Sequence, residues 1–102
     1  MKTTYNTFLK DTLAATTEAI KKVNLPYLEV SERKTMKGGT LYRGIMIKAN
    51  HPDAPYASAF YLEEAFKNYK KNPYALEEFA TDLIVQFLMD YDYITSCMAD
   101  KF

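Results

Sequence analysis

From residue 4 to residue 23 the apolar side chains recur at every third or fourth position. Tyr5, Phe8, Leu9, Leu13, Ile20 and Val23 share one stripe, which Thr12 and Thr16 complete. This spacing predicts an amphipathic helix. Thr3 or Thr4 can cap its start, Lys21 and Lys22 suit the negative end of its dipole, and Asn24 followed by Pro26 ends it. The period then changes. Across Tyr27–Lys34, Leu28 and Val30 alternate with Glu29 and Ser31, which predicts a half-buried strand. Gly38-Gly39 can supply the positive φ angles of a tight hairpin turn. The return strand, Leu41–Ala49, places Leu41, Arg43, Ile45 and Ile47 on one face and Tyr42, Gly44, Met46 and Lys48 on the other. Gly44 in mid-strand predicts a bulge or a close approach by another backbone.

Asn50 to Pro55 reads as a loop, with two prolines and an aspartate. Residues 56–61 fit two local structures. They can start a helix capped by Asp53, or form a short third strand with Tyr56 and Phe60 on one face. From Leu62 the spacing is helical, with Leu62, Ala65, Phe66 and Tyr69 on one stripe, and Asn72-Pro73 breaks it. The last helix carries an unbroken stripe from Leu76 through Phe79, Ala80, Leu83, Ile84, Phe87 and Leu88 to Tyr91, with Glu77 and Glu78 in its first turn. The expected fold is a single α+β domain: helix, antiparallel hairpin, short third strand, then two helices, with the sheet covered on one face.

Lys34, Gly39, Gly44-Ile45-Met46-Ile47, Pro55, Tyr61-Leu62-Glu63, Phe66, Tyr69 and Leu76 to Ile84 resemble the pattern of a known family. It is an uncharacterised domain-of-unknown-function family of small bacterial proteins from gut-associated Gram-positive anaerobes. The resemblance runs from about residue 33 to residue 84 and implies that residues 57–61 are strand. Asn72-Pro73 departs from it, since the family tends to have Gly there. The family brings no established activity, so the resemblance implies a fold and no chemistry.

Composition changes the picture in several ways. At 102 residues with 48% hydrophobic and 25% charged content, the chain can bury a core without staples. Nine Tyr and six Phe with no Trp give an unusual aromatic load, suited to cores and binding surfaces alike. The net charge is zero but unevenly spread, with nine Lys/Arg against four Asp/Glu in residues 1–50, and four against nine in residues 51–102. Cys97 is the single cysteine, so an intrachain disulfide or cysteine-rich zinc site is excluded, and a reducing, cytoplasmic setting is expected. No secretory h-region or membrane-spanning apolar run is expected.

Candidate chemistry is sparse, and the expectation is a non-enzyme without metal or cofactor. His51 is the only histidine, and neither it nor Cys97 lies in a context that activates a nucleophile. Ser58 lacks a nucleophile turn, and the adjacent pairs Glu63-Glu64 and Glu77-Glu78 point in different directions on their helices. His51-Pro52-Asp53 resembles the loop by which J-domain co-chaperones contact a heat-shock chaperone. Against that, Gly38-Gly39, Gly44 and the alternation of Ile45 and Ile47 contradict the helix that a J-domain needs before this loop.

Two surfaces remain. Arg33, Lys34, Lys37, Arg43 and Lys48 lie in the hairpin near Tyr27 and Tyr42, a combination that can hold phosphates and stack bases. The same charges also protect an edge strand, and zero net charge favours that role. Val85, Met89 and Tyr93 make a second apolar stripe on the last helix, with Glu78, Asp82, Asp90 and Asp92 on or beside it. An apolar centre with an acidic rim has the anatomy of a protein interface. The expected function is a non-enzymatic protein-binding module. By analogy of size and lack of chemistry, phage or mobile-element inhibitors of bacterial defence nucleases, of the anti-CRISPR type, fit it. The expected partner is a protein, a nucleic-acid-binding effector above all. Direct nucleic-acid binding through the hairpin is the alternative, no membrane partner is expected, and a homo-oligomer is compatible with the chain.

Overall fold

The computed structural model describes residues 4–23, 27–52 and 54–99, with side chains described as far as Tyr93. The elements run α1 (Tyr5–Val23), β1 (Leu28–Lys37), β2 (Thr40–Ala49), β3 (Tyr56–Tyr61), α2 (Glu63–Lys71) and α3 (Leu76–Ala99). The fold is α+β in the expected order. Thr4 caps α1, its Oγ1 accepting from the Thr7 N–H at 3.2 Å, and Lys21 and Lys22 occupy the last turn. Thr3, Asn24 and Pro26 lie outside the described residues.

The three strands form an antiparallel sheet in the order β1-β2-β3. β1 runs three residues past its expected end, because Thr35, Met36 and Lys37 pair with Tyr42, Leu41 and Thr40 up to the turn. That turn is Gly38-Gly39, with φ of 59° and 79°, as a two-residue hairpin connection requires. The hairpin tip is exposed, so no burial alternation marked it in the sequence. Residues 56–61 are strand throughout, the third strand of the expected fold and not the helix start that local propensity also allowed. Tyr56 and Phe60 face inward opposite Ala49 and Ile45, and backbone pairing with β2 outweighs a local helix start. Asp53, the cap that helix would need, lies outside the described residues.

The helices cover one face of the sheet and leave the other open. Leu28, Val30, Ile45, Ile47, Ala49 and Phe60 point toward the helices, while Arg33, Thr35, Tyr42, Met46, Lys48 and Tyr61 share the open face by register. Two buried clusters lie along the covered face. One gathers Ile20, Leu28, Ile47, Ala49, Ile84 and Phe87; the other gathers Phe8, Leu9, Ile45 and Leu62. The second is ringed by aromatic side chains, with Phe8 meeting Phe66, Tyr69 and Phe79 at centroid distances of 5.3, 5.1 and 6.2 Å.

The expected close approach at Gly44 is present. A Cβ there would lie 1.9 Å from the Phe60 carbonyl oxygen. Gly44 pairs with Arg33 on β1 and Tyr61 on β3, and the Tyr61 hydroxyl reaches back over β2 to donate to Thr35 Oγ1 at 3.0 Å. Two residues beyond Tyr61, Glu63 ties three elements together. Its Oε2 accepts from the Arg43 N–H at 2.7 Å and from the Tyr5 hydroxyl at 2.9 Å, joining the start of α2 to β2 and α1. Burial and the neighbouring carboxylate push the Tyr5 phenol well above its usual range.

Candidate interaction surface

α3 is long because nothing in Leu76–Ala99 breaks a helix, and its inward stripe accounts for only part of its apolar content. Ala80, Ile84 and Phe87 are buried, and Tyr91 stacks on Phe87 while its hydroxyl donates to the Ala54 carbonyl at 2.6 Å. The second stripe faces out. Val85, Met89 and Tyr93 are 48%, 63% and 71% exposed.

Helical spacing puts Glu78, Asp82, Val85, Met89, Asp92 and Tyr93 on one outward face. Asp82 and Glu78 lie one and two turns before Val85, and Asp92 sits beside Tyr93 at the far end. Asp90 falls to one side, half-buried, where its Oδ1 accepts from Gln86 Nε2 at 3.1 Å. Six of the seven expected residues therefore form one surface with an apolar middle between acidic ends.

A feature invisible to the sequence pattern enlarges this surface. Along its α1 side, α3 borders a groove of about 580 Å³ whose apolar lining includes Ala15, Ala19, Val85 and Leu88. Asp11, Glu18 and Glu77 lie on its rim, with Lys22 as a cation among them. The alanines lie off the apolar stripe from which α1 is read. Their small side chains keep the space between the two helices open, and Val85 belongs to both the groove and the outward stripe.

No family model, no curated protein and no solved structure matches the chain. The reading of the surface rests on its geometry.

The basic residues of the hairpin do not form one cluster. Register places Arg33, Lys37 and Lys48 on the open face, and Lys34 and Arg43 on the helix-covered side. Arg43 is committed within the fold. Its Nη2 pairs with Glu32 Oε1 at 2.8 Å, its Nη1 donates to Asn6 Oδ1, and Glu32 is held below the usual carboxylate range by that guanidinium. The open face does hold two tyrosines, Tyr42 and Tyr61, edge to face at 6.2 Å. The Thr35 hydroxyl, to which Tyr61 donates, and the nearby Arg33 charge lower the Tyr61 phenol.

His51 lies in the loop between β2 and β3, with the Tyr27 ring edge-on at 5.7 Å and its carbonyl accepting from the Ala54 N–H at 3.2 Å. A J-domain needs helices on both sides of that loop; here strands flank it. Asp53 is outside the described residues. Ser58 sits in the middle of β3 opposite Ile47. Among the described residues no group of His, Cys, Asp and Glu is placed to hold a metal, and no helix is long and apolar enough to cross a membrane.

Proposed function

We propose that this protein is a non-enzymatic protein-binding module that recognises its partner through the outward face of α3 and the adjoining α1–α3 groove. The observation that carries this is the exposure of Val85, Met89 and Tyr93 in one line, at 48%, 63% and 71%. Removing such side chains from water favours association, and Tyr and Met are enriched where interfaces have their anchors.

The charge around the line says what kind of partner fits. Glu78, Asp82 and Asp92 share the face, and Asp11, Glu18 and Glu77 border the groove. A carboxylate-rimmed apolar surface complements a protein surface rich in Arg and Lys, as phosphate-binding sites are. The partner class is therefore a nucleic-acid-binding protein. An inhibitor of a bacterial defence nuclease, in the anti-CRISPR manner, is the biological role that this chemistry serves. Affinity capture of the tagged protein from a bacterial lysate, followed by mass spectrometry, tests the reading. Nucleic-acid-binding proteins should be retained by the wild type and released by Asp82→Lys with Tyr93→Ala. Retention unchanged by that double substitution contradicts it.

The open sheet face supports a second reading, nucleic-acid binding through Tyr42, Tyr61, Arg33, Lys37 and Lys48. The same face carries Glu29, and the Tyr61 hydroxyl is already engaged with Thr35. We expect no tight, steeply salt-dependent binding of single-stranded or duplex DNA by the isolated protein. A steep fall of affinity with added salt, lessened by Arg33→Ala with Lys37→Ala, would reverse the order of the two readings.

A further inference from the structure

We propose that the free edge of β1 pairs antiparallel with β1 of a second copy, about a two-fold axis at Arg33, to give a continuous six-stranded sheet. The inference is independent of the α3 surface and begins with the edge itself. β1 is ten residues long and, among the described residues, pairs only on its β2 side. Lys37 and Thr40 close the two-residue turn, so the odd-numbered residues of β1 bond to β2. The Asn50 N–H donating to the Tyr27 carbonyl at 2.8 Å follows the same parity. The N–H and C=O groups of Val30, Glu32, Lys34 and Met36 therefore point away from the sheet.

A protected edge normally carries cations that repel a second copy. This one is different, because its charges are antisymmetric about Arg33. Glu32 and Glu29 lie one and four residues before it, and Lys34 and Lys37 one and four residues after. In an antiparallel pair centred on Arg33, Glu32 meets Lys34 of the second copy and Glu29 meets its Lys37, each contact occurring twice by symmetry. The paired residues have the same parity, so each pair stays on one face of the extended sheet. Arg33 would face its own twin on the open face, one like-charge contact set against the four Glu–Lys contacts on either side of it.

The same register solves a second problem. Met36 stands 66% exposed on the helix-covered side of the hairpin tip. In the proposed pairing it comes opposite Val30 of the second copy, on the same side of the sheet. A depression of about 500 Å³ runs along this end of the β1 edge, lined by Thr17, Ile20, Leu28 and Val30 on the helix-covered side and by Glu29, Ser31, Met46 and Lys48 on the open face. Each copy thus supplies one apolar knob and one hollow. Both helical layers end on the same side of the joined sheet, so two α3 surfaces would be presented together.

Sedimentation velocity over a concentration series up to about 1 mM tests the proposal, since an interface of modest area associates weakly. The wild type should show a monomer–dimer equilibrium. Met36→Asp should raise the dissociation constant about tenfold or more, while its circular dichroism and melting temperature stay those of the wild type. Glu29→Lys alone and Lys37→Glu alone should each weaken the dimer about tenfold, and the double swap should restore it. Within one chain these two residues lie at opposite ends of β1, so only pairing between copies explains the rescue. A protein that stays monomeric throughout overturns the proposal. So does a dimer that ignores Met36→Asp, or one that Met89→Asp abolishes in its place.

Discussion

Phe8→Ala is expected to cost the fold about 3–5 kcal/mol, the usual range for removing a fully buried aromatic ring. Phe8 is 0% exposed at the point where α1 meets α2 and α3. It contacts Tyr5, Phe66, Tyr69 and Phe79, so no single neighbour can move in to fill the space without losing its own contacts. Tyr69, Tyr74 and Phe79 are further locked edge to face, and the Tyr74 hydroxyl donates to the Ala65 carbonyl at 2.9 Å. The cavity therefore persists. Since small domains are stable by only about 5–15 kcal/mol, the variant should unfold at a much lower urea concentration, with both helical and aromatic signals lost together. A shift of well under about 1 kcal/mol would mean that the aromatic cluster is not the core of this end of the molecule.

Gly44→Ala should be nearly as damaging, although it adds a single methyl group. Its Cβ would lie 1.9 Å from the Phe60 carbonyl oxygen and 2.7 Å from Tyr61 Cα, and both obstacles are backbone. Relief requires β3 to separate from β2 at the pairs that seat Phe60 and Tyr61. We expect a loss of about 3 kcal/mol or more, from overpacking together with broken strand pairing. Hydrogen exchange should show early opening of Tyr56–Tyr61 while the amides that join β1 to β2 stay protected. Wild-type stability for this variant would show that the β2–β3 approach is looser than described.

The elements that were legible in the sequence are those whose period is local. The α1 and α3 stripes and the Gly38-Gly39 turn state their own geometry. Residues 56–61 do not, because alternating Tyr, Ala and Phe side chains suit a strand and a helix start equally. What decides them is the open edge of β2, a partner outside the segment itself. The recognition surface divides the same way. That Val85, Met89 and Tyr93 form a stripe was readable from spacing. Whether they are covered depends on where α1 crosses, and α1 lies along the Ile84 and Leu88 side of α3, leaving that stripe outside. The hairpin cations looked like one patch because sequence proximity ignores the pleat. Strand parity sends Lys34 and Arg43 to the other face, and Glu32 and Asn6 engage Arg43 there.

The most direct test of the central claim is to measure partner affinity and melting temperature together for Met89→Ala and Tyr93→Ala. Both side chains are largely exposed, so the account predicts melting temperatures close to the wild type. It predicts affinity weakened by about 1–3 kcal/mol per substitution, the range for an interface anchor. Affinity unchanged for the folded protein, with a large fall in melting temperature, would contradict it. Met89 and Tyr93 would then belong to the fold and not to its recognition surface.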